Sequence, residues 1–235
     1  NIELVSEYDD FITSHSYMHV SGEQTYFSSN GGALEVIGTS DPLNPVLLTN
    51  FEFYNIEEMA GTVMGNRAYW ADKRGILVFD ITDINSIINL AFNEVGDGMA
   101  SALHVQNTTL YFYDEWNNIF RIYNATDPSN LIEYSTIESI DNFTYGVSSR
   151  YKDKIAANDN TLFISVQDQQ EGWVGSDILV YDVLDLSNPY EVTTYESDYM
   201  LYKMDADDNY LYLGGFDYTS RQYSLEIVDI SESSN

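Results

Sequence analysis

The residues best suited to chemistry lie where aromatic rings sit beside carboxylates and amides. The longest such stretch is Gln167-Asp168-Gln169-Gln170-Glu171-Gly172-Trp173-Val174-Gly175-Ser176, and Asp114-Glu115-Trp116-Asn117 repeats its theme. Asp72-Lys73-Arg74 and Asp217-Tyr218-Thr219 are shorter versions, while Asp97, Tyr145 and Tyr199 stand in polar connections elsewhere. A ring stacks on a sugar or a peptide group while the polar groups fix its orientation. Trp173, Trp116, Asp168, Asp114, Asp97, Tyr145 and Tyr199 are therefore the candidate ligand-binding residues. A plainer reading competes with this one. Trp173 then pins a long loop, and Asp72, Asp114 and Asp168 cap turns.

Metal chemistry is the second option. Aligned by the repeat set out below, His19, Thr62, His104, Ala156 and Asp205 fall at one equivalent position. Two imidazoles and a carboxylate suit zinc or another transition ion, so His19, His104 and Asp205 are the candidate ligands. The set lacks a third His or Cys, which favours hydrogen-bonded, packed histidines instead. The run Asp205-Ala206-Asp207-Asp208-Asn209 resembles the start of an EF-hand loop. It has Tyr210 where that loop needs Gly and Phe216 where it needs Glu, so it reads as a turn. Calcium held by an acidic loop is the one cofactor left open, and no other follows from the sequence.

Reaction motifs are absent. There is no Gly-x-Ser-x-Gly, His-Glu-x-x-His, phosphate loop or Gly-x-Gly-x-x-Gly. A carboxylate pair on loops, such as Asp97 with Asp168, would serve a glycosidase-like hydrolase, which stands as the alternative to a binding module. A structural spacer without a ligand is the third reading.

The charge narrows the partners. Nine Lys and Arg face 38 Asp and Glu, a formal net of −29. Such a surface repels phosphate backbones and anionic lipids, which excludes nucleic acid and membrane surfaces as partners. Solubility in salt, cation binding and a basic partner remain as its uses. No run of apolar residues is long enough to span a bilayer as a helix. The N-terminus has no basic segment followed by an apolar one, and Asn1 without a Met points to a domain of a longer chain. With no cysteine, disulfide and thiol chemistry are ruled out.

The elements that must position these residues come from a repeat. Leu34-Glu35-Val36-Ile37-Gly38, Ile76-Leu77-Val78-Phe79-Asp80, Phe120-Arg121-Ile122-Tyr123-Asn124, Ile178-Leu179-Val180-Tyr181-Asp182 and Leu225-Glu226-Ile227-Val228-Asp229 share one pattern. Their last residues, 38, 80, 124, 182 and 229, are spaced as propeller blades are, with one enlarged repeat. Turns rich in Asp, Ser, Asn and Pro follow, as in Asp41-Pro42-Leu43-Asn44-Pro45 and Asp127-Pro128-Ser129-Asn130, and then another strand. Upstream of each segment lies a hairpin whose second strand reads Thr25-Tyr26-Phe27, Ala68-Tyr69-Trp70, Leu110-Tyr111-Phe112, Leu162-Phe163-Ile164 or Leu211-Tyr212-Leu213. Four strands per repeat, five times over, predict an all-β, five-bladed propeller of antiparallel four-stranded blades. The blades span about 16–54, 60–96, 101–139, 145–197 and 200–235. The fifth repeat lacks its fourth strand, and Val5-Ser6-Glu7-Tyr8-Asp9 matches Val192-Thr193-Thr194-Tyr195-Glu196. Residues 1–11 are thus expected to close the ring on the last blade.

The segments Leu179-Val180-Tyr181-Asp182 and Ile227-Val228-Asp229, with their Asp-Pro and Ser-Asn-Pro turns, resemble LVIVD repeats. Gly38 and Asn124 depart from that family's Asp, and the fourth repeat carries an insertion. The resemblance implies a β-propeller on exported or surface proteins of bacteria and archaea, and no particular activity. Propeller topology puts the strand 2–3 loops and the blade-to-blade connections on one rim, where all seven candidate binding residues lie. The expectation is a monomeric, extracellular, surface or periplasmic module that binds a glycan or protein on that rim.

Overall fold

The computed structural model describes residues 15–29, 33–52, 60–72, 74–95, 100–114, 117, 119–138, 155–167, 175–217 and 219–231. These residues fold as five antiparallel sheets met one after another along the chain, the blades of a five-bladed β-propeller, as the repeat spacing predicts. Blade one holds β1 (His15–Ser21), β2 (Gln24–Ser29), β3 (Ala33–Gly38) and β4 (Val46–Glu52). Blade two holds β5 (Ala60–Met64), β6 (Arg67–Asp72), β7 (Gly75–Asp80) and β8 (Ile88–Glu94). Blade three holds β9 (Ala100–Gln106), β10 (Thr109–Asp114), β11 (Ile119–Asn124) and β12 (Ile132–Glu138). Blade four holds β13 (Ile155–Ala157), β14 (Thr161–Gln167), β15 (Ser176–Asp182) and β16 (Tyr190–Ser197). Blade five has three strands among the described residues, β17 (Met200–Ala206), β18 (Tyr210–Asp217) and β19 (Gln222–Asp229). The segment expected to close it, residues 1–11, lies outside them.

The chain divides into two compact units, residues 1–100 with 127–130, and residues 101–126 with 131–235. The core of the first is the apolar layer between blades one and two. Leu34 and Val36 of β3 meet Val63, Trp70, Leu77 and Phe79 there, with Phe51 packed against them. The second unit has two such layers. Tyr113, Phe120, Ile122 and Ile137 pack on Ile155, Leu162 and Ile164, and Phe163, Ile178 and Val180 pack on Leu201, Met204 and Leu211. Strand three of blade one is buried on both faces, all six residues of β3 being buried, whereas β19 alternates exposed and half-buried residues. Strand four faces water on one side, so β4 and β8 mix exposed and half-buried residues.

The turns repeat as faithfully as the strands. The residue after strand three donates its N–H to a carbonyl of the hairpin turn in all five blades: Thr39 to Glu23, Ile81 to Asn66, Ala125 to Thr108, Val183 to Asn160 and Ile230 to Asn209. The Asp that ends strand three accepts the N–H two residues on, as Asp80, Asp182 and Asp229 do, with Asn124 in that place in blade three. Asp41, Asp83, Asp127 and Asp185 then repeat the same contact in the turn to strand four. Much of the motif's acidity is thus turn chemistry, a carboxylate closing each bend on its own backbone.

Two solutions serve the strand 1–2 hairpins. Gly22, Gly65 and Asn107 take positive φ, 59°, 58° and 53°, at the first loop residue, where Gly has no Cβ to clash and Asn is the next best tolerated. Asn158 and Asp207 instead accept two backbone N–H groups each, from residues 160 and 161 and from 209 and 210. One feature of the sheets has no signature in the sequence pattern. Strand four carries an extra residue at the same place in four blades, so that Leu48, Leu90, Tyr134 and Val192 are skipped in the pairing with strand three. A bulge there bends the outer strand and steepens its twist, as a blade's splayed outer edge needs.

Candidate functional site

The expected binding rim lies at the blade end bearing the strand 2–3 turns and the connections to the next blade. In blade five its described residues form an aromatic cluster. Phe216, near the end of β18, stands directly opposite Tyr223 of β19, and their rings meet edge to face at 5.1 Å. Tyr202 of β17 joins them, its ring 6.1 Å from that of Tyr223. Tyr223 is 78% exposed, the most open of the large apolar and aromatic side chains described. The β18–β19 turn beside it is held by Asp217, which accepts the N–H of Thr219 at 2.7 Å and of Ser220 at 3.2 Å. Bonds from the side chain and backbone of Ser220 lower the Asp217 pKa below the usual carboxylate value, so it is ionised at neutral pH. The cluster offers an open ring face, and the turn at its edge carries a fixed anion.

The seven residues expected to bind a ligand are placed differently from one another. Trp173, Trp116, Asp168, Asp97 and Tyr145 lie outside the described residues. Tyr199 is half-buried in the connection entering blade five and packs against the layer between blades four and five. Asp114 is wholly buried. It accepts the Asn117 N–H at 3.2 Å and the Asn117 amide at 2.7 Å, and the Arg121 guanidinium lies 3.6 Å away. Arg121 reaches on to Glu133 at 2.8 Å. Asp114 therefore holds a turn and an internal cation, as the plainer reading of its type expects.

Sequence reasoning overlooked Tyr202, Phe216 and Tyr223. A signal for Tyr223 was available. The position two before the repeat motif is Gly32, Arg74, Asn118 and Ser176 in the other blades, small or polar every time. A tyrosine there departs from the repeat.

The metal candidates are not brought together. Among the described residues no group of three His, Asp or Glu is placed to hold a metal ion. The His104 ring lies 6.4 Å from that of Tyr111, and Asp205 is exposed on β17 and accepts the N–H of Ala206 at 2.9 Å. The acidic run after it is a hairpin turn. Asp207 bonds the N–H groups of Asn209 and Tyr210 at 2.8 Å and takes the Tyr212 hydroxyl at 2.8 Å, which holds its carboxyl below the usual range.

A second tyrosine–carboxylate contact links two blades. Tyr195 of β16 donates its hydroxyl to Oε1 of Glu226 on β19, while Ser197 donates to Oε2 at 2.9 Å. The bond to Glu226, aided by burial, pushes the Tyr195 pKa up to about 12. The neutral phenol is the form that bonds, so its stabilisation is complete below the free value of about 10 and is lost as pH rises through about 12. Urea unfolding across that window should show the native protein losing stability more steeply than a Tyr195→Phe variant. Equal slopes would mean the bond contributes nothing.

No known family's sequence profile matches the chain, and no curated protein matches its sequence. Similar solved structures are numerous. The computationally designed protein Ika8 is 12% identical, with a TM-score of 0.60 over 98% of this chain and 76% of its own. A protein of Lactobacillus plantarum is 13% identical, with a TM-score of 0.61 over 90% of this chain and 70% of its own. A Bacteroides uniformis protein with a provisional 6-phosphogluconolactonase assignment is 12% identical, with a TM-score of 0.58 over 92% of this chain and 71% of its own. At such identities the likeness concerns the fold alone, and it agrees with the propeller.

Proposed function

We propose that the chain is a non-catalytic binding module that takes a glycan or a protein segment on the rim carrying the strand 2–3 loops. The observation behind this reading is the open Tyr223 ring, in edge contact with Phe216 and tilted against Tyr202, next to the turn that Asp217 holds. An aromatic face this exposed gains free energy when a sugar ring or an apolar side chain covers it, and Asp217 supplies a fixed acceptor. The sequence places Trp173 and Trp116 in loops of the same rim, where they would extend the platform. A location outside the cell is the companion proposal, resting on the LVIVD resemblance. Among the described residues no helix is long and apolar enough to cross a membrane.

A hydrolase on the same rim is the alternative, since two similar structures carry a provisional 6-phosphogluconolactonase assignment. It would need rim-loop carboxylates such as Asp168, because Asp114 is already committed to Asn117 and Arg121. A glycan array probed with the purified chain, in calcium and then in chelator, tests the binding reading. Binding is expected, with Tyr223→Ala or Trp173→Ala weakening it at least tenfold while leaving the free energy of unfolding within about 0.5 kcal/mol. Silence on glycan and peptide arrays alike, or turnover of aryl glycosides or lactones that Asp168→Asn abolishes, would overturn it.

A further inference from the structure

In blades one to four the third strand pairs with a fourth, and each of those fourth strands carries a bulge. A bulge, a lysine or a proline keeps the edge of a sheet from recruiting another strand. β19 has none of the three. Among the described residues it is the edge of its sheet, and it pairs with β18 in unbroken register over all eight residues from Gln222 to Asp229. Its open side is therefore a regular template of backbone N–H and C=O groups.

The side chains suit an added strand as well. Alternate residues share one face of a strand, and Tyr223, Leu225 and Ile227 are 78%, 65% and 55% exposed, an apolar row about 13 Å long. The row starts at the aromatic cluster, since Tyr223 is the ring that meets Phe216 and Tyr202. A sugar would cover that one ring. An extended polypeptide meets every second residue of the row while its backbone bonds the edge. Charge selects among polypeptides. Residues 200–235 hold seven carboxylates against two cations, Lys203 and Arg221, and the whole chain carries a net −29. Asp217 stands opposite Gln222 at one end of β19, and Asp229 closes the other.

Resting on the binding-module reading above, we propose that β19 takes an extended basic segment of another protein as an added strand. Apolar residues at alternate positions of that segment lie beside Tyr223, Leu225 and Ile227, about 5 Å away between Cβ atoms. Lys or Arg between them answers the surrounding acidity. Main-chain bonds supply affinity, and the alternate side chains supply specificity.

The test uses the full chain and an eight-residue peptide in which Val and Tyr alternate with Lys. One control peptide has Glu for Lys, and a second is N-methylated through its centre, which keeps the side chains but cannot bond the edge. The Lys peptide is expected to bind and to slow hydrogen exchange of the β19 amides at least tenfold. Both controls should bind at least tenfold more weakly, and so should the Lys peptide to Leu225→Lys or Ile227→Lys variants, whose side chains are exposed and leave the fold intact. An N-methylated peptide that binds equally well, or β19 amides that gain no protection, would overturn the proposal. So would β19 amides that exchange as slowly as those of β15 in the free chain, or a dimer that Ile227→Lys dissociates, since the edge is then already taken. Glycan binding lost in Tyr223→Ala without any peptide binding would sink strand addition alone, whereas silence towards both would sink the binding module with it.

Discussion

Replacing Asp114 by alanine is expected to destabilise the protein by about 3–5 kcal/mol, the usual cost of breaking a buried ion pair. Asp114 is fully buried and engages three groups: two of Asn117 and the guanidinium of Arg121. Without it, Arg121 is left, among the described residues, with the half-exposed Glu133 at 2.8 Å, and its buried Nε has no partner among them. Glu133→Ala should cost far less, about 1 kcal/mol or below, because water can replace an exposed carboxylate. Equilibrium urea unfolding of both variants gives the comparison. A loss under 1 kcal/mol for Asp114→Ala would mean that this carboxylate is dispensable to the fold and free to serve a ligand.

The second large effect lies between blades one and two. Phe79 is 1% exposed and meets Trp70 edge to face at 5.9 Å and Phe51 at the same distance. Truncation to alanine removes both contacts and leaves a cavity that flat, hydrogen-bonded sheets fill poorly, at a cost of about 3–5 kcal/mol. For a chain of this length that is a fall in Tm of roughly 10 °C. Phe92, 40% exposed with the Arg74 guanidinium over its ring at 5.7 Å, is the control. Its truncation should cost about 1 kcal/mol. Calorimetry of the two variants ranks them, and equal losses would show that the layer between blades does not carry the stability assigned to it.

Strand identity was legible because the motif is governed by short-range physics. Leu34-Glu35-Val36-Ile37 and its relatives alternate for a sheet, and Asp80 or Asp185 closes a bend within two residues of itself. Five such units at blade spacing leave little choice of fold. The bulge at Leu48, Leu90, Tyr134 and Val192 was not legible, because a bulge is set by the pairing of two strands, and no single residue type marks it.

The rim shows the same division. Its membership followed from connectivity, since strand 2–3 loops share one end of every blade. What each residue does there depended on where its side chain is turned. Asp114 and Asp217 are the same residue type at comparable turns, yet one is buried against an arginine and the other caps a bend at the surface. Tyr223 and Phe216 meet only because β18 and β19 pair in one register. The sequence by itself determined the number of blades, the chemistry of the turns and the excess of negative charge, because these arise from residues near one another along the chain. Tertiary structure alone decided which carboxylates are committed inside and which ring stands open to water, because burial and partnership are set by residues far apart in the chain.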